Sequence, residues 1–190
     1  MEEYTPDQRE KIYRIIKIAN LRIDSLFHGM KRIQARITAL HKQDFHVEAM
    51  ILHTQAVEHA TREILWEFRV KREILDTLGK DDPYKNVDLS EEELEKIPLG
   101  SLIGKLRDIT GETELVKELT RFNNDFRKHF VHRAYFTTEE NFKKKEEEAK
   151  EYMASEEKMG KLVRLLSDER MRVLREAEEL YPVQSALGGS

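Results

Sequence analysis

Leu119-Thr-Arg-Phe-Asn-Asn-Asp-Phe-Arg-Lys-His-Phe-Val-His-Arg-Ala-Tyr135 decides how this chain of 190 residues folds. The stretch holds no Pro and no Gly, so the sequence predicts one unbroken helix over about Glu112 to Phe136. At about 100° per residue, Leu119, Phe122, Phe126, Phe130 and Ala134 fall on a single apolar stripe and are assigned to the core. Asn124, Arg127, Lys128 and His132 lie on the other side, with Val131 among them. Arg127 and His132 are five positions apart, so their Cα atoms differ by about 140° around the axis. They flank the polar face, and a long arginine side chain still reaches a point in front of both. One face is given to the core, and the other presents cations and an imidazole outward.

On the N-terminal side, Thr5-Pro-Asp-Gln8 is a helix start with capping-box chemistry. Ile12, Ile16, Ala19, Ile23, Leu26, Met30, Ile33, Ile37 and Leu40 then alternate spacings of four and three, which predicts a long helix to about His41. A second helix is expected to end at Leu78 before Gly79, with Met50, Thr54, Val57, Glu58, Thr61, Ile64, Leu65 and Phe68 on its buried stripe. Glu58 there needs a partner and is read as a structural hydrogen-bond anchor, and Trp66 as a partly buried packing residue. Residues 79–89 read as a loop. Ser90-Glu-Glu-Glu93 reads as a capping box for a short helix closed by Pro98, and Ser101 as the cap of another that Gly111 ends. These short pieces form an insertion between two long helices.

On the C-terminal side, Thr137-Thr-Glu-Glu140 opens a Lys/Glu-rich helix with a thin stripe of Phe142, Ala149, Tyr152 and Met153. Leu162, Leu166, Val173 and Ala177 belong to a further packing face that Pro182 ends. The expected architecture is all-α: a long-helix bundle with an inserted broken-helix segment, one domain over 1–182 and a disordered tail over 183–190.

Charged residues make up 37% of the chain and apolar ones 39%, the balance of long amphipathic helices. No apolar run approaches the roughly 20 residues that span a bilayer, and there is no cysteine for a disulfide or a thiolate zinc site. A cytoplasmic location is therefore expected. The net charge of −4 argues against broad coating of nucleic acid. Arg121, Arg127, Lys128 and Arg133, set against Asp125, make the one local cluster expected to touch phosphate.

Arg127-Lys-His-Phe-Val-His132 resembles the Arg-x(4–6)-His signature of HEPN domains. Leu99-Gly-Ser-Leu-Ile-Gly-Lys-Leu106 is similar to the Leu-Gly-x-Leu-Ile segment of several HEPN subfamilies. Phe122-Asn123 and Phe126 resemble the approach to the family's arginine, and Leu52 to Leu65 its core helix with an inward Glu. The likeness covers roughly residues 45 to 136 plus flanking helices, so the fold expected is HEPN-like.

The resemblance implies a metal-independent endoribonuclease of toxin or defence type, with no cofactor, acting as a homodimer whose two signature segments meet in one cleft on RNA. His132 would then be the general acid/base and Arg127 the group that holds phosphate, with Asn124, Lys128 and Arg133 assisting substrate. The family commonly has Asn, Asp or His after the arginine, where this chain has Lys128. A lysine binds phosphate but cannot orient His132 as an acceptor would. Tyr135 lies near His132 and is the candidate for adenylylation by an antitoxin-like partner. The alternative is a non-catalytic helical dimer that uses the same face to bind protein or nucleic acid. Neither a di-iron Glu-x-x-His pair nor a P-loop is present, and His59 with Glu63 or His129 with His132 supply at most pairs of metal ligands.

Overall fold

The computed structural model describes residues 4–128, 130 and 138–180, without the side chains of Asp24, Leu26, Phe27 and Glu156. Every regular element among the described residues is helical, so the chain is all-α. Helix α1 runs Pro6–Lys42, α2 His46–Thr77, α3 Glu91–Lys96, α4 Leu99–Thr110 and α5 Glu114–Phe122. A π-helical turn, Asn123–Arg127, follows α5, and Lys128 and Phe130 continue helical beyond it. Helices α6, Glu139–Ala154, and α7, Glu156–Leu180, complete the order. The expected tail at 183–190 lies outside the described residues, and no described helix is long and apolar enough to cross a membrane.

Helix α2 is the centre of the packing and touches α1, α3, α4, α6 and α7. It is buried on more than the expected stripe, because His46, Val47, Ala49, His53, Ala56 and Trp66 join Met50, Val57 and Phe68 inside. A helix enclosed on most sides must satisfy polar groups locally. Thr54 and Thr61 do so by donating to the carbonyls of Met50 and Val57, each at 2.8 Å. Trp66 is only 8% exposed, more enclosed than the sequence suggests, with the Arg22 guanidinium 4.4 Å from its ring centroid. Ile12, Ala19 and Ile37 of the α1 seam are fully covered, so the heptad pattern serves packing within the chain.

Helix starts depart from the sequence expectation in instructive ways. Thr5 forms its capping box with Gln8, as read. The Ser90 side chain caps nothing, however, because Asp88 accepts from the Ser90 amide at 2.9 Å in an Asx turn. Helix α4 begins at Leu99, not at Ser101: extended Pro98 offers its carbonyl to the amides of Ser101 and Leu102. Gly111, at φ 73, ends it in a left-handed conformation that favours glycine. The segment expected to be an insertion is part of the core, since Leu89, Leu94, Leu99, Leu102 and Leu106 are enclosed. At roughly 2 kcal/mol for each buried leucine, this segment helps hold the fold. The C-terminal helix breaks at extended Ser155, which separates α6 from α7.

Candidate functional site

The predicted unbroken helix is interrupted where the chemistry was expected. Asn123-Asn-Asp-Phe-Arg127 winds with the wider i→i+5 spacing of a π turn. Asn and Asp hydrogen-bond nearby backbone and are poor at holding a regular α-helix, so the Asn123-Asn124-Asp125 run is a local weak point. Looser winding makes the residues after the turn lag their ideal α positions by roughly a quarter turn. Arg127 is thereby carried off the polar face and onto the edge of the buried stripe. Its side chain is only 12% exposed, whereas Asn124 and Lys128 remain at the surface.

There Arg127 meets the core helix. Its Nη2 donates to Glu58 Oε2 at 2.9 Å, and Arg62 Nη2 donates to the other carboxylate oxygen at 3.2 Å. Arg62 in turn donates through Nε to the Leu94 carbonyl at 2.7 Å, which ties the pair to the end of α3. Glu58 thus acts as the anchor inferred from the sequence, although its side chain keeps 25% exposure and the buried acids of α2 are Glu63 and Glu67. Arg127 Nε and Asn123 Oδ1 are buried and find no hydrogen-bond partner among the described residues. Lys128 Nζ donates to Asn124 Oδ1 at 2.7 Å, one helical turn back.

Of the residues assigned to the site, Arg127, Lys128 and Asn124 gather along one turn. His132, Arg133 and Tyr135 lie outside the described residues, as does His129. Arg62 and Asn123 were not read as site residues. The Glu58-x-x-x-Arg62 spacing is a signal for the first, and the run of poor helix formers for the second.

Beside the turn, a cavity of about 170 Å³ is lined by Asp125 and Phe126, with Arg121, Tyr152 and Lys158, but not by Arg127. Phe122, Phe126 and Tyr152 form an aromatic cluster on its inner side, with Phe126 and Tyr152 centroids 4.3 Å apart. Burial raises the Tyr152 phenol above its ordinary value, so it stays protonated. Among the described residues, no three His, Asp or Glu side chains converge as metal ligands.

Compared with protein-family models, curated proteins and solved structures, the chain matches none. Its functional reading therefore rests on its own residues and on the motif resemblance.

Proposed function

We propose that this chain is a HEPN-like, metal-independent endoribonuclease of toxin or defence type, acting as a homodimer on RNA. The observation that carries the reading is the placement of Arg127. The arginine of the Arg-x4-His segment is held by a carboxylate from the central helix, on a π turn that rotates it away from free solvent. π turns recur at functional sites, and a guanidinium fixed by a carboxylate is oriented before substrate arrives. A planar guanidinium suits a phosphate whose charge grows in the transition state.

In the proposed reaction, His132 of one protomer takes the proton from an RNA 2′-OH. The 2′ oxygen bonds to the adjacent phosphorus as the bond to the 5′ oxygen breaks, and that oxygen leaves with a proton supplied by the partner copy's imidazole. The products are a 2′,3′-cyclic phosphate and a 5′-OH end. Arg127 steadies the phosphate, while Lys128, Asn124 and Arg133 contact the strand.

A second reading has its own observation. Lys128, where the family commonly has Asn, Asp or His, donates to Asn124 and offers no acceptor to orient His132, which suits a face that binds a partner without chemistry. The two readings separate in one experiment: labelled RNA incubated in EDTA with wild type, Arg127→Ala and His132→Ala. Cleavage with cyclic-phosphate ends by wild type, lost in both variants, is the expected result. A folded dimeric wild type that leaves the RNA whole would overturn the ribonuclease reading and favour the binding one.

A further inference from the structure

On the face where α1, α2 and α7 meet, the packing leaves a cavity of about 180 Å³. We propose that this cavity is a binding site for a small uncharged molecule, of single-ring to indole size, that carries one hydroxyl or N–H group. The inference stands apart from the ribonuclease reading and uses none of its residues.

The size follows from packing. Interiors are filled to the density of organic crystals, and a cavity of about 150 Å³ lined by apolar groups is already large enough to take benzene. Here the space exists because α2 presents Ala56 and Ala60, one turn apart, where larger side chains would fill it. Met30 of α1, Val57 of α2 and Leu166 of α7 supply most of the remaining apolar wall, and the flexible thioether of Met30 adapts to a guest.

A cavity lined by apolar groups alone stays dry and takes apolar guests. This one is also lined by His53, only 2% exposed, whose Nε2 is buried with no hydrogen-bond partner among the described residues. Its ring packs edge-on against Phe122 at 5.6 Å and near Tyr152 at 5.8 Å, and that nitrogen makes no hydrogen bond with either. A buried polar atom without a partner costs free energy, and a guest with one hydroxyl or N–H would remove that cost.

Charge decides the rest of the ligand class. Glu63 and Arg170 also line the cavity, and each is ion-paired elsewhere, although Arg170 Nη2 is itself buried without a hydrogen-bond partner among the described residues. Glu63 takes two hydrogen bonds from Arg22, both at 2.9 Å, and Arg170 donates to Glu67 at 2.5 Å. Burial lowers His53 to about 4 and also lowers His59, so both imidazoles are neutral near pH 7. The charges at the cavity are already paired, so a neutral guest is favoured, and it finds an apolar wall, the unpartnered His53 nitrogen and the unpartnered Nη2 of Arg170.

The test is titration of the full chain with phenol, indole and toluene, followed by ligand-observed NMR and calorimetry. Saturable binding of phenol and indole to wild type is expected. Ala60→Leu should abolish it, as should Val163→Phe, which narrows the cavity from a position 46% exposed and so tolerant of change. His53→Leu should weaken phenol by about tenfold, the effect of one hydrogen bond, and leave toluene unchanged. The proposal fails if folded wild type binds neither phenol nor indole. It also fails if their binding is unchanged by Val163→Phe, or if His53→Leu weakens phenol and toluene alike.

Discussion

Glu67 and Glu58 both lie on α2, and each holds an arginine from a distant part of the chain, but the two sites are built differently. Glu67 is 2% exposed and takes a 2.5 Å hydrogen bond from Arg170 of α7, and Arg22 of α1 is paired with Glu63 one turn away on α2. Glu58 keeps 25% exposure and divides its oxygens between Arg62 and an arginine on a π turn. The first arrangement locks three long helices together. The second leaves the Glu58 carboxylate partly open to solvent while the guanidinium it holds is only 12% exposed, at the point where the helix is irregular. An ion pair alone does not separate a structural role from a functional one. Enclosure of the carboxylate does, because only an enclosed acid depends wholly on its partner.

The largest effect expected from this contrast is at the closed site. Well above pH 7, where the Glu67 carboxyl is ionised, Arg170→Met leaves it as a buried charge without its partner, and such losses run to about 3–5 kcal/mol. Urea unfolding should show that loss, and pairing the change with Glu67→Met should recover most of it. A loss below about 1 kcal/mol for Arg170→Met would mean that solvent reaches Glu67 and that the two sites are alike.

The next effect is one of pH and comes from two buried groups that oppose each other. Burial pushes the Glu67 carboxyl up to about 7 from its ordinary 4.5, although Arg170 pulls it back in part. Between those values the folded chain holds a proton that the unfolded chain has lost, so the Glu67 contribution is whole below the lower one and disappears as pH rises through the upper. His53, pushed down from 6.5 to about 4, behaves in the opposite sense. Its contribution is whole above 6.5 and is lost as pH falls through about 4.

The two slopes cancel where the windows overlap. Relative to wild type, His53→Leu should therefore lose stability as pH rises through the overlap, and Glu67→Gln should gain it. Each difference should reach roughly 2–3 kcal/mol, at about 1.4 kcal/mol per pH unit. Denaturant unfolding at stepped pH checks this, and parallel curves for all three proteins would show that neither group is shifted by burial.

Much of the fold was legible because it follows from periodicity. The α1 seam, the end of α2 before Gly79 and the end of α4 at Gly111 all follow from apolar spacing and from glycine. Ser90 is the N-cap of α3, as its spacing predicts, but Asp88 takes its amide and its own side chain caps nothing, whereas Pro98 takes the cap of α4 from Ser101. The π turn was hidden for a deeper reason. Under regular α periodicity Leu119, Phe122, Phe126 and Phe130 already share one stripe, so nothing in the apolar pattern requires an irregular turn. Its consequence for Arg127, burial against Glu58, could not be read from a helical wheel. Arg22–Glu63 and Arg170–Glu67 join helices far apart in sequence, so local spacing carries no trace of them.

The smallest effect sharpens the comparison most. Glu58→Gln removes the charge that faces Arg127 but keeps an oxygen able to accept from Nη2. Because both side chains retain some solvent, the expected loss of stability is about 1 kcal/mol, well below that of Arg170→Met. The same substitution frees the guanidinium charge for an outside anion, so RNA or a phosphate analogue should bind more tightly while the arginine is held less firmly. In the ribonuclease reading this appears as a lower KM together with a lower kcat, because Glu58 orients Arg127 and does not itself touch substrate. A stability loss as large as that of Arg170→Met, with no change in phosphate or RNA binding, would place both ion pairs in the same structural role. Arg127 would then be one more strut between helices.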